Sequence, residues 1–264
     1  MACMTLTLFS RVLSLSCTVD LVFCEGGDRG AEPFPVLYLL HGGDGDNTSW
    51  RRNVAIERLA RDSGLAVAMP AVQHGFYADQ KYGYDYFSFI ADELPLLLGR
   101  YLNVSAARED SFAAGLSMGG YGAFKLGILR PERYAAVASL SGSLDQRRRL
   151  TPDSDLKNPV MQRLAYASFG SYEDYVGSGN DLFAYLDRRL AEGARLPAFF
   201  MACGTADGNL AVNDEFFERF GGRAPIEYER TEGAGHDWRY WEACFPAALA
   251  RIAALRGADG RTDR

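Results

Sequence analysis

The stretch Ser111-Phe112-Ala113-Ala114-Gly115-Leu116-Ser117-Met118-Gly119-Gly120 decides the reading of this chain. Residues 111–114 have the character of a buried strand, and residues 119–129 that of a helix. Between them lies Gly115-Leu116-Ser117-Met118-Gly119, a G-x-S-x-G pentapeptide. Alone, that pentapeptide is common. Between a strand and a helix it has the context of a nucleophile elbow. The glycines allow a tight strand-to-helix turn without a Cβ clash, and the turn presents the serine Oγ. The helix N-terminus behind it favours developing negative charge. Ser117 is therefore the candidate nucleophile.

Outward from this point strands and helices alternate. Met4, Leu6 and Leu8 alternate with Thr5 and Thr7, which predicts a strand near the start. Residues 18–24 predict a second strand. Residues 36–40 are apolar on both faces, as in a central buried strand. Gly26, Gly27, Asp28 and Gly30 predict a hairpin loop between these two. Further strands are expected at 65–69, 135–140, 198–203 and 226–230. Helices are expected at 56–62, 182–191, 213–220 and about 240–255, and at 90–101 with Leu94, Leu97, Leu98 and Tyr101 on one stripe. An aromatic loop, 76–87, precedes that last helix. Such alternation implies an α/β fold with a mostly parallel sheet covered on both faces. The rhythm breaks at about 143–180, a polar stretch holding Arg147-Arg148-Arg149, Pro152 and Pro159. It reads as a lid-like insertion over the sheet edge, within a single catalytic domain spanning 1–264. The tail from 257 is expected to fray.

A serine hydroxyl needs a base at neutral pH. Only three histidines exist: His41, His74 and His236. In the chain order that accompanies this elbow the serine comes first, then the acid, then the histidine. Only His236 follows Ser117. The acid must lie between them, at the end of a strand; Asp207, just past 198–203, fits better than Asp214 inside the next helix or Asp237 beside the histidine. It would hold the imidazole tautomer and stabilise the imidazolium. Oxyanion donors are expected from the N–H of Met118 and from the loop after 36–40, at Gly43. His41, Trp50, Tyr121 and Trp238 are candidates for the substrate pocket.

These motifs resemble the esterase D / S-formylglutathione hydrolase superfamily of α/β-hydrolases, and within it the bacterial tributyrin-esterase type of short-chain carboxylesterase. The similarity rests on Leu37 through Gly42, Asn47-Thr48-Ser49-Trp50, Tyr82 through Tyr86 and Gly115 through Phe124. It continues through Cys203-Gly204-Thr205 with Asp207 and His236-Asp237-Trp238 with Trp241, and so covers nearly the whole chain. The resemblance implies an α/β-hydrolase fold with Ser117, Asp207 and His236 as catalytic triad. It implies short acyl esters as substrates, without metal or organic cofactor. It also leaves S-formylglutathione hydrolysis, removal of acetyl or feruloyl groups from plant polysaccharides, and acyl transfer of the mycolyltransferase kind as alternatives. Asp44-Gly45-Asp46 and 143–180 border the expected pocket.

Composition agrees with a globular enzyme and removes other classes. The chain has 264 residues, 48% hydrophobic and 23% charged, which excludes disorder for its bulk. A net charge of −6 leaves no basic footprint for nucleic acid. No apolar run approaches the ~18 residues of a membrane span. Five cysteines with no C-x-x-C predict free thiols in a reducing cytoplasm, not a disulfide framework or zinc site. Leu15-Ser16-Cys17 faintly suggests a lipoprotein cleavage site, but the positive n-region is missing and Arg11 interrupts the apolar stretch. Asp44, Asp46 and Asn47 lack the spacing of a calcium loop. The expected partner is a small-molecule ester; a homo-oligomer is permitted.

Overall fold

The structure is a computed structural model describing residues 1–24, 32–151 and 159–258. Its eight strands are β1 (Ala2–Ser10), β2 (Leu15–Phe23), β3 (Val36–Leu40), β4 (Ala66–Pro70), β5 (Ser111–Leu116), β6 (Ala136–Leu140), β7 (Ala198–Gly204) and β8 (Ile226–Thr231). They form one sheet in the order β1-β2-β4-β3-β5-β6-β7-β8, parallel from β4 to β8 and antiparallel at β1 and β2. The fold is that of an α/β-hydrolase.

Helices alternate with the strands: α1 (Ser49–Asn53), α2 (Ile56–Ser63), α3 (Tyr86–Ser88), α4 (Leu94–Leu102), α5 (Met118–Leu129), α6 (Arg147–Leu150), α7 (Pro159–Phe169), α8 (Tyr172–Tyr175), α9 (Leu182–Ala191), α10 (Leu210–Phe220) and α11 (Trp238–Ala258). A π-helical turn, Phe89–Glu93, joins α3 to α4. Strand side chains alternate between the faces of the sheet. Val36, Tyr38 and Leu40 of β3 enter the core beneath α4, α5, α9 and α10, while Leu37 and Leu39 enter the one beneath α2 and α11. Both cores must be filled, which is why β3 is apolar throughout.

Three expectations are corrected. β2 and β3 are not neighbours, because β4 lies between them; the hairpin is β1–β2, turning at residues 11–14 with Ser14 at φ 54°. Glu93 holds that turn, accepting from the Ser10 hydroxyl and, at 2.7 Å, from the Arg11 N–H. The predicted loop at Gly26, Gly27, Asp28 and Gly30 lies outside the described residues. Tyr101 is not in the core stripe: it sits in the last turn of α4, before the left-handed Asn103, and is 62% exposed.

The described residues of the 143–180 stretch do not cover a sheet edge. The edges are β1 and β8. The segment lies instead against the nucleophile helix and the aromatic loop. Ser143 N–H donates to the Ser117 carbonyl, the Lys81 and Tyr82 N–H groups donate to Ser168 and Ala167, and the Tyr121 hydroxyl donates to Asn180. The tail expected to fray lies, from residue 259, outside the described residues.

Candidate active site

The turn between β5 and α5 depends on two glycines that almost touch. A Cβ on Gly115 would fall 2.4 Å from the backbone of Gly119, and one on Gly119 would fall 2.3 Å from the Leu40 carbonyl oxygen. No side chain fits either place, which is the steric reason for the pentapeptide. The turn forces Ser117 to φ 53° and ψ −115°. Its N–H is held at 2.8 Å by the Leu140 carbonyl at the end of β6.

The structure brings Ser117, His236 and Asp207 together from three separate loops. His236 Nε2 lies 2.9 Å from Ser117 Oγ, and His236 Nδ1 lies 2.9 and 3.0 Å from the two Asp207 carboxylate oxygens. A carboxylate beside Nδ1 fixes the proton there, so Nε2 accepts from the serine hydroxyl. Trp241 stands edge-on to the imidazole, 4.9 Å between centroids. Asp207 follows β7 and its side chain is wholly buried. Burial pushes its pKa up, but the His236 hydrogen bond, the Ser141 hydroxyl and the Asn209 N–H (2.7 Å) more than offset this and hold the carboxyl below its ordinary value.

Beside the serine is a cleft of about 530 Å³. Gly42, Gly43 and Leu116 line it next to Ser117, and Trp238 and Trp241 form its aromatic wall. Asp44, Ser49, Arg52, Asn53 and Asp237 make the rest polar. Gly43 faces open space; the nearest atom to a Cβ placed there is Met161 Cε of α7, at 4.0 Å. Met118, buried, begins α5, where helical N–H groups lack intrahelical partners. The acidic loop is structural at Asp46, which accepts from Thr48 N–H (2.8 Å) and hydroxyl (2.6 Å) ahead of α1. Asp20 of β2 anchors the same loop through Asn47 (2.9 Å) and Arg51 (3.2 Å). Asp44 projects into solvent at the cleft rim.

Of the four expected pocket residues, only Trp238 lines the cleft. His41 is 1% exposed and both ring nitrogens are occupied: Nδ1 donates to Gly42 O at 2.7 Å and Nε2 accepts from Val72 N–H at 3.1 Å. Burial pushes its pKa down to about 4. It pins the loop that carries Gly43. Trp50 is buried behind Trp238, its Nε1 donating to Leu40 O at 3.0 Å. Tyr121 lies beneath the 143–180 segment, against Phe169. Sequence patterns mark these residues as aromatic and near the motifs, and cannot separate a wall from the layer behind it.

Sequence reasoning missed Ser141. It is fully buried, with φ 52°, and its Oγ accepts from Trp241 Nε1 at 3.0 Å. Its place immediately after β6, with Gly142 next, was the available signal. Also missed was Lys125, a lysine 2% exposed in the middle of α5. Among the described residues no cluster of three or more His, Cys, Asp or Glu could hold a metal, and no helix is long and apolar enough to cross a membrane.

Comparison with known proteins gives one consistent result. Residues 14–252 match the esterase family described as "Putative esterase". An acetyl esterase of Caldicellulosiruptor saccharolyticus is 29% identical over 91% of this chain and 94% of its own. Among solved structures, a fluorophosphonate-binding serine hydrolase of Staphylococcus aureus, FphF, superposes with a TM-score of 0.86 at 27% identity, covering 96% of this chain and 98% of that one. The S-formylglutathione hydrolase FrmB of the same organism superposes with a TM-score of 0.84, at the same identity and coverage.

Proposed function

The chain belongs to the esterase family of α/β-hydrolases and is a serine esterase, and from that premise we propose that it hydrolyses short-chain carboxylic esters through an acyl-enzyme on Ser117. The observation that carries this reading is the unbroken relay from Ser117 Oγ to His236 to Asp207, 2.9 Å at each step. His236 takes the serine proton as Oγ attacks the ester carbonyl, and Asp207 stabilises the imidazolium. The N–H groups of Gly43 and Met118 receive the oxyanion, helped by the N-terminus of α5. His236 then protonates the departing alcohol, and water repeats the cycle on the acyl-serine. Residues 143–180 act as a lid-like cover; Met161 beside Gly43 supports that role and a small acyl pocket.

Hydrolysis of p-nitrophenyl esters from two to twelve carbons tests the substrate class. Rates peaking at two to four carbons support the short-chain reading; flat or rising rates beyond eight carbons contradict it. A second reading, hydrolysis of an S-formylglutathione-type thioester, is favoured by Arg52 on the cleft rim, an exposed guanidinium that pairs with Asp46 at 3.4 Å and would exchange that partner for a carboxylate of a peptide thiol. It predicts a higher kcat/KM for that thioester than for any p-nitrophenyl ester. All five cysteines are free thiols, which supports placing the enzyme in a reducing compartment such as the cytoplasm.

A further inference from the structure

Lys125 is the one charged residue of α5, and every residue of that helix is buried. No carboxylate lies within ion-pair distance of its ammonium among the described residues. Its Nζ donates to Asn180 Oδ1 at 2.6 Å and to the Tyr77 carbonyl at 3.2 Å, and stands 4.7 Å from the centre of the Phe87 ring. Burial pushes the Lys125 pKa down to about 7, only partly offset by the field of Asp79, so holding an ammonium here on two carbonyls and a ring face is costly. A methionine of similar length would suit this layer better if stability were the only demand.

What the ammonium joins gives it a purpose. Asn180 ends the 143–180 segment, and its carbonyl accepts from the Tyr121 hydroxyl at 2.7 Å. Tyr121 is one turn past Ser117, whose carbonyl accepts the Tyr121 N–H at 3.1 Å. The Tyr77 hydroxyl donates to the His41 carbonyl at 3.0 Å, two residues before Gly43. Ser117, Tyr121 and Lys125 share one face of α5, four residues apart. Lys125 therefore sits where the nucleophile helix, the covering segment and the loop bearing Gly43 are set in register.

We infer that Lys125 is a positioning residue of this esterase: through Tyr77 and Asn180 it holds the Gly43 loop and the Asn180 end of the covering segment in place against Ser117. The inference rests on the function proposed above. It makes a prediction of opposite sign for stability and activity. Lys125→Met keeps the apolar length and removes the charge and both hydrogen bonds. Its melting temperature is expected to equal or exceed that of the parent, while kcat on a short p-nitrophenyl ester falls about tenfold and KM stays within about twofold. Rates are counted per active site, by fluorophosphonate titration. Asn180→Ala, which removes one of the two acceptors, is expected to lower kcat about threefold, and the double variant to match Lys125→Met. A Lys125→Met enzyme with parental kcat per active site overturns the inference, as does a loss of activity that only follows a lowered melting temperature. If Lys125→Met does not fold, a parental kcat in Asn180→Ala overturns it equally. A parent inactive on every ester overturns the functional reading and this inference with it, an outcome distinct from an active parent with an indifferent Lys125.

Discussion

Ser117 and Ser141 both hold a positive φ, 53° and 52°, one residue past the ends of adjacent parallel strands whose last residues, Leu116 and Leu140, are in register. One serine faces the imidazole; the other supports the carboxylate behind it. A non-glycine residue in this region costs about 1–3 kcal/mol and persists where surrounding structure imposes it. The strain at Ser117 exposes the hydroxyl, so a glycine there is expected to relieve it. Ser117→Gly should exceed Ser117→Ala in stability by about 1 kcal/mol in denaturant unfolding, both being inactive. Equal stabilities would show that the turn is not strained.

Ser141 is expected to tune the acid. Its hydroxyl helps hold the Asp207 carboxyl low while accepting from Trp241. Without it the Asp207 pKa rises, so protonation begins at a higher pH as the solution is acidified. Ser141→Ala should lower kcat about tenfold and move the acid limb of the kcat–pH profile upward. Asp207→Asn, which leaves the imidazole without its carboxylate, should cost about 10³–10⁴ in kcat. An unmoved acid limb in Ser141→Ala would remove Ser141 from the site.

His41 makes the fold acid-sensitive. Its folded pKa of about 4 lies below the value of about 6.5 expected when unfolded. The unfolded state therefore binds the proton first as pH falls. Stability is full above about 6.5 and is lost progressively down to about 4, by about 3 kcal/mol in total. His41→Gln, able to donate to Gly42 and accept from Val72, lacks this titration. The stability difference between parent and variant, from urea unfolding at pH 7 and pH 4.5, should shift by about 2–3 kcal/mol against the parent. A difference independent of pH would contradict the buried neutral imidazole.

Much of this was legible because it is local. Strand 111–116, the elbow and α5 are written in consecutive residues, and the chain order leaves His236 as the sole base. Asp207 followed from its place after an apolar strand. Pairing was harder to read. The glycines after residue 24 suggested a hairpin, but a strand apolar on both faces must take the centre of the sheet, and β4 came between. Depth was illegible. Trp50, Tyr121 and His41 lie near the motifs in sequence and one layer behind the cleft in space. Ser141 and Lys125 matter through partners 100 and 55 residues away, which no spacing rule reveals.

The central claim is that Ser117 is the nucleophile and His236 its base. Labelling with a fluorophosphonate, followed by peptide mapping, tests it most directly. The account predicts one adduct, on Ser117, absent in Ser117→Ala and formed at least about 10³-fold more slowly in His236→Ala. An adduct on any other residue, or undiminished labelling in His236→Ala, would contradict it.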